Sequence, residues 1–287
     1  MTSAVRSGVA MAACISVAAP AAIPAGPLTP TTKWQMDYAP NECRLLRTFG
    51  EGRDAVTVQF SRLDPAPHLE IALVGPRLPA TAAPIPTSLS TTTVQRVEAT
   101  AQGFSAAGPG LSTIRFQPNS RIADALRSDI AAGRPTRLGV GFTKRYAAAL
   151  DLGSMKGPLG ALEKCVDDLV TTMGLDPAEQ RTRKSAPEAS TNPGTWFRPG
   201  DYPPALNRSA VGAIVVIRLV VGADGRVTNC AVAKAGGDKT FEDLTCRLAT
   251  ERARFAPAVG ASGQPIASVW ARRIKWQPAA SVVVRGS

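Results

Sequence analysis

Ala213-Ile214-Val215-Val216-Ile217-Arg218-Leu219-Val220-Val221 is a strongly β-branched run, and Ala223-Asp224-Gly225-Arg226 follows it. Branched side chains stiffen the backbone and suit a pleated surface, so the run from Gly212 to Val221 reads as a strand. Asp-Gly between two apolar runs is a strong hairpin signal, because both turn positions tolerate the required backbone angles. Val227 to Val232 then reads as the returning strand. Ala235-Gly236-Gly237-Asp238 leads into a helix whose apolar stripe is Phe241, Leu244, Thr245, Leu248 and Ala249. Arg254-Phe255-Ala256-Pro257-Ala258 stops that helix, and Ser262-Gly263-Gln264-Pro265 makes a turn. Ile266 to Ile274 is the last strand. The order strand, strand, helix, strand predicts a small α+β sheet packed on a helix.

Upstream of this unit the composition changes. Residues 176–195 are polar and rich in Pro, Gly, Ser and Thr, and read as a linker between two domains. Fully extended, a segment of that length reaches about 70 Å at ~3.5 Å per residue. Residues 30–175 are expected to form an α+β N-terminal domain, and residues 196–278 the C-terminal one. In the first, Ala55-Val56-Thr57-Val58-Gln59-Phe60 and Leu69 to Gly75 alternate and read as paired strands. Val94–Thr100, Thr113–Phe116 and Leu138–Phe142 are further strands, and residues 76–92 read as a loop. Ile122 to Ala132 reads as a helix closed by Gly133. Leu159 to Met173 is the clearest helix, with Leu159, Leu162, Val166, Leu169 and Val170 on one face and Gly174 after it. The overall class is α+β in two domains.

At the N-terminus, Arg6 precedes an Ala-rich apolar run that ends in Ala19-Pro20-Ala21. A positive start, a short apolar run and small residues at the end are the anatomy of a secretory signal peptide, assigned to residues 1–25. An uncleaved anchor is the alternative. Met11-Ala12-Ala13-Cys14 is a poor lipoprotein signal. Export leaves four cysteines, Cys43, Cys165, Cys230 and Cys246, an even number that suggests two disulfides. Three connectivities are possible; the division into two domains favours Cys43–Cys165 and Cys230–Cys246.

Several function classes lose support. Lys and Arg number 33 against 22 Asp and Glu, a net charge of +11, yet the basic residues are dispersed and no nucleic-acid motif is present. The single histidine, His68, sits next to Pro67, so two-histidine metal motifs are absent and a triad base has no other candidate. The cysteines form no CxxC pair. Asp54, Asp64 and Asp124 are isolated in sequence, and Asp167 and Asp168 point in different directions on a helix. No nucleophile has a nearby base and no Gly-rich phosphate loop precedes a helix. No enzymatic activity and no cofactor are expected.

Tyr202-Pro203, Gly212-x-Ile214-x-Val216, Asp224-Gly225-Arg226-Val227, Gly236-Gly237, Leu244 to Leu248, Arg254-Phe255-x-Pro257-Ala258 and Gly263-Gln264-Pro265 occur in one order. Together they resemble the C-terminal domain of TonB proteins, over about residues 200–277. A Cys230–Cys246 pair resembles a subgroup of TonB-like proteins with an additional disulfide. The resemblance implies a periplasmic protein of a Gram-negative bacterium that binds segments of outer-membrane TonB-dependent receptors by adding a strand to its sheet. The implied edge is the last strand, with Ile266, Ser268, Trp270, Arg272, Arg273 and Lys275 as partner-binding residues. Its basic side chains either attract acidic segments or protect the edge from aggregation. TonB energy transducers carry a membrane anchor and a long spacer. Here an Ala-rich leader and a folded-looking domain stand in their places. Energy-coupled transport is therefore the first reading, a stand-alone exported adaptor is the alternative, and contact with inner-membrane motor proteins has little support in the sequence.

Overall fold

The computed structural model describes residues 26–66, 69–79, 83–105, 110–116, 120–142 and 146–278. The signal-peptide assignment, Cys14 and His68 lie outside them. The fold is α+β. Its first part is a nine-stranded sheet built from β1 (Gln35–Ala39), β2 (Glu42–Phe49), β3 (Val56–Arg62), β4 (Glu70–Gly75), β5 (Pro84–Thr91), β6 (Val97–Ser105), β7 (Ser112–Phe116), β8 (Thr136–Phe142) and β9 (Tyr146–Gly153). The strands lie in the order β1-β2-β3-β4-β7-β6-β5-β8-β9. Helices α1 (Ser120–Ala131) and α2 (Lys156–Thr172) cover one face.

Period-two alternation decides what that face contains. Cys43, Leu45 and Phe49 of β2, Val58 and Phe60 of β3, Ile71 and Leu73 of β4 and Ile114 of β7 are all buried in one apolar cluster. Ile122 and Leu126 of α1 and Leu162, Val166 and Val170 of α2 close it. A disulfide between Cys43 and Cys165 ties β2 to α2 across 122 residues.

Four strands lie outside the sequence expectation. Residues 84–91, read as loop, form β5, in which Ile85, Thr87, Leu89 and Thr91 point inward. Pro84 and Pro86 pair only with β6, while β8 joins β5 from Thr87 onward. The prolines thus occupy the part of the strand with a single neighbour, where a missing N–H leaves no ladder bond unmade. Residues 35–49 form the antiparallel pair β1–β2, and the Ala-rich stretch 146–153 forms β9.

Residues 176–195 are not a bare linker. Asp176 caps α3 (Pro177–Thr182) by accepting from the Ala178 N–H at 2.8 Å. Lys184 N donates to Val259 O, and β10 (Glu188–Ala189) pairs with β13 (Phe255–Ala256). The segment is thereby strapped along the C-terminal part of the chain.

That part contains α4 (Pro204–Arg208), β11 (Ala213–Val221), β12 (Val227–Gly236), α5 (Thr240–Arg252), a small ribbon of β14 (Ala258–Val259) and β15 (Pro265–Ile266), and β16 (Ser268–Trp276). The sheet order is β12-β11-β16, all antiparallel. Val215, Ile217, Leu219 and Val221 face α5 and form a second apolar cluster. A second disulfide, Cys230–Cys246, joins β12 to α5.

The opposite face of β11 is also buried, which accounts for a run apolar at nearly every position. It meets the uncovered face of the nine-stranded sheet. Arg218, 4% exposed, donates to the backbone and side-chain oxygens of Asn41 at 3.1 and 3.0 Å. Asn41 Nδ2 donates to Val232 O at 2.9 Å, and Lys234 pairs with Glu42. Burial holds the Arg218 guanidinium below its ordinary value. Such buried ionic contacts set register more than they add stability, because desolvation offsets most of the attraction.

Candidate functional site

Among the described residues β16 has one neighbour in the C-terminal sheet, β11, in a register that runs from Ala213↔Trp276 to Val221↔Ser268. An antiparallel strand with one partner leaves alternate N–H and C=O groups pointing away from the sheet. Beside the second half of β16 lies a groove of about 610 Å³, bordered by Arg272 to Gln277 on one side and by Pro193, Phe197, Arg198 and Tyr202 on the other.

The groove stands on an aromatic base. Aromatic residues are only 5% of the chain, yet Trp196, Phe197, Tyr202, Phe241, Phe255, Trp270 and Trp276 all gather here. Trp276 lies at the centre, with ring centroids 5.3 Å from Phe241, 5.5 Å from Phe197 and 5.8 Å from Tyr202. Its Nε1 donates to Thr245 Oγ1 at 2.8 Å, and that hydroxyl donates to Phe241 O at 2.5 Å. Every polar atom of the buried indole is therefore satisfied, and the end of β16 is fixed to α5. The Tyr202 hydroxyl donates to Val211 O at 2.6 Å, and burial raises its pKa.

A bidentate ion pair holds the outer wall. Arg252, at the C-terminal end of α5, donates to both carboxylate oxygens of Asp201 at 2.5 and 2.8 Å. Its Nη1 also donates to Trp196 O at 2.8 Å. Asp201 accepts from the Arg198 N–H as well, at 2.6 Å. The Arg252 hydrogen bonds, aided by the Arg198 N–H, lower the Asp201 pKa to about 2. The wall is thus tied to the helix by charge-assisted bonds of the fork-to-fork kind.

The six edge residues singled out from the sequence are not equivalent. Ile266 lies outside the edge and pairs with Ala258 in the small ribbon. Ser268 is buried and donates to Gln180 Oε1, while Gln180 Nε2 donates to Ala267 O, so α3 covers the start of β16. Trp270 packs against Trp196 and Phe255 on the α5 side. Arg272 shares that side, with its guanidinium carbon 5.5 Å from the Trp270 ring centre. Arg273 projects to the opposite face, beside Arg115 and Glu70 of the nine-stranded sheet, and burial lowers its pKa. Lys275 is exposed at the groove. Sequence reading missed the opposite wall at Pro193, Phe197 and Arg198, which it placed in the linker or just after it. The adjacent aromatics Trp196-Phe197 directly after Asn192-Pro193-Gly194 were the available signal.

Among the described residues no group of three or more His, Cys, Asp or Glu could hold a metal ion. No helix among them is long and apolar enough to cross a membrane.

A three-stranded antiparallel sheet with a helix on one face and β12 and β16 at its edges defines a small α+β module, in the order strand, strand, helix, strand. Residues 199–278 match the family model of the Gram-negative bacterial TonB protein C-terminal, and this part of the chain is a TonB C-terminal domain. The match places it among the transport-associated domains of the Gram-negative envelope. It covers less than a third of the chain. No curated protein and no solved structure matches the chain.

Proposed function

We propose that this is a TonB-like periplasmic protein that binds an extended segment of an outer-membrane receptor by strand addition along β16, in energy-coupled transport. The observation that carries this reading is the edge itself: one sheet neighbour, a groove beside it and a TonB C-terminal domain around it. Backbone hydrogen bonds would supply affinity, and side chains of the incoming strand would alternate between the groove and the sheet's far face. Arg198, Arg272 and Lys275 make the groove basic and favour acidic segments. The role is binding, without catalysis. In the same reading residues 1–25 are a signal peptide, and residues 30–175 and 196–278 are separate domains.

A second reading, an exported adaptor without a motor, is favoured by one feature. The TonB domain is packed face to face on the nine-stranded sheet through Arg218–Asn41 and Lys234–Glu42, where a spacer would leave it free.

Photo-crosslinking separates binding at the edge from binding elsewhere. A photoreactive residue replaces Arg272 in one protein and exposed Arg247, on α5, in another. Receptor adducts are expected from position 272 and not from 247. Equal yields, or none, would overturn the assignment of β16. Deleting the motor genes then distinguishes the two readings. Receptor-dependent uptake that needs both the motor and this protein supports transduction; uptake that needs this protein but is indifferent to the motor supports the adaptor.

A further inference from the structure

A second site lies between the two sheets, on the face of β16 away from α5. A cavity of about 360 Å³ is lined by Arg44, Gln59 and Arg115 from the nine-stranded sheet and by Val216, Lys234 and Arg273 from the TonB domain. Its origin is the strand register. Val216 pairs with Lys234 on one side and with Arg273 on the other, so both cations flank it on one face. Alternation on β2, β3 and β7 brings Arg44, Gln59 and Arg115 to meet them, because Cys43, Leu45, Phe60, Ile114 and Phe116 take the core positions.

Four cations face this space. Arg44 pairs with Asp37 at 2.5 Å, Arg115 with Glu70 at 3.3 Å and Lys234 with Glu42, with Glu70 at 3.8 Å. Among the described residues the Arg273 side chain makes no hydrogen bond or ion pair. The Nε atoms of Arg44 and Arg115 are buried and donate to no acceptor among the described residues. Buried donors of this kind ordinarily have partners, and an unpaired one carries a desolvation cost. The Lys234 ammonium is held below its ordinary value by burial and by the charge of Arg115, consistent with an excess of positive charge at this point. The volume falls in the range of small-molecule sites, roughly 300–1,000 Å³.

We infer that this cavity binds a small oxyanion, a carboxylate or phosphate group, between Arg273, Arg115, Arg44 and Lys234. The ligand supplies the acceptor that these donors lack and bridges the two sheets, with groups from both sides. Arg273 also borders the strand-addition groove, whereas Arg44, Arg115 and Lys234 line this cavity alone, and those three cations set it apart from the groove.

The test uses the purified full-length chain. Melting is followed in sodium phosphate and in sodium succinate, each against sodium chloride at equal ionic strength. A bound ligand at ten times its Kd raises Tm by about 3 °C for a protein of this size. Arg273→Gln is expected to abolish the phosphate or succinate shift. Arg272→Gln, one residue away on the other face, is expected to retain it. Calorimetric titration of the same anions into both variants checks the result without unfolding. A response to phosphate alone assigns the phosphate class, and a response to succinate alone the carboxylate class. No shift beyond that of chloride, a shift unchanged in Arg273→Gln, or equal loss in Arg272→Gln would overturn the site.

Discussion

The two sheets use the same device in different chemistry. Each joins a strand to a covering helix with one disulfide, Cys43–Cys165 in the larger and Cys230–Cys246 in the smaller. The nine-stranded sheet then builds its core from aliphatic side chains under two helices. The three-stranded sheet has one helix and compensates twice, with a cluster of aromatic rings and by burying its second face on its neighbour. A small sheet has too little area to bury for independent stability from aliphatics alone. Rings add area per residue, and a shared face adds more. The strand addition proposed along β16 would rest on this rigid aromatic base.

The two staples are the sharpest way to separate the regions. In the chain-entropy model a crosslink spanning 122 residues stabilises by about 5 kcal/mol and one spanning 16 residues by about 3 kcal/mol. Urea unfolding of Cys43→Ser/Cys165→Ser and of Cys230→Ser/Cys246→Ser should therefore show the larger loss in the first pair. The reverse order would mean that local packing of β12 on α5, not loop closure, sets the energetics. Next in size is the aromatic base. Trp276→Ala removes a buried ring and leaves the Thr245 hydroxyl without its donor, so it should cost about 3–5 kcal/mol. If the variant loses under about 1 kcal/mol by urea unfolding, the cluster is not what holds the small sheet.

The sequence predicted the two regions unevenly, for physical reasons. In the TonB domain each local signal agreed with the next: a branched run, Asp-Gly, a helical stripe and a last strand. The observed elements β11, β12, α5 and β16 follow that order. In the larger sheet the strands with simple alternation, such as Val56–Phe60, were readable. β5 was hidden because Pro84 and Pro86 argue against a strand until its single-sided pairing is known. β9 was hidden because Ala147, Ala148 and Ala149 favour helix and only tertiary pairing overrides that. The contact between sheets had no pattern to betray it. Arg218 was the one polar break in an apolar strand, and its partner, Asn41, is 177 residues away. The groove was half legible: β16 was evident, but the wall at Phe197 and Arg198 depends on a fold-back that spacing does not encode.

A smaller effect tests the hairpin turn. Gly225 has φ of +76°, and its carbonyl oxygen accepts from the Phe255 N–H at 3.0 Å. A Cβ there would lie 2.1 Å from Phe255 O. Gly225→Ala combines a strained backbone with a clash against main chain, and should destabilise by about 2 kcal/mol. Asp224→Ala in the same turn, at an exposed position, should cost under about 1 kcal/mol. Equal losses in thermal unfolding would show that the turn is not pressed against β13.

The smallest effect concerns the groove wall and depends on pH. The Asp201 pKa is about 2 in the folded chain, chiefly through the Arg252 hydrogen bonds, against about 3.9 for an unperturbed aspartate. A folded-state pKa below the unfolded value means that the unfolded chain takes up the proton first as pH falls. The stabilisation is therefore complete above about pH 4 and fades as pH drops through about 2. Asp201 is 16% exposed, and solvent screening limits the gain to about 1 kcal/mol. Comparing Asp201→Asn with the parent by urea unfolding should show that difference at pH 5 and a shrinking one toward pH 2. A constant difference across the range would mean that asparagine disturbs packing at the wall rather than removing a charge. Receptor-segment affinity should fall in the same variant at pH 7, since the wall formed by Phe197 and Arg198 is released from α5; unchanged affinity would place the binding contacts on β16 alone.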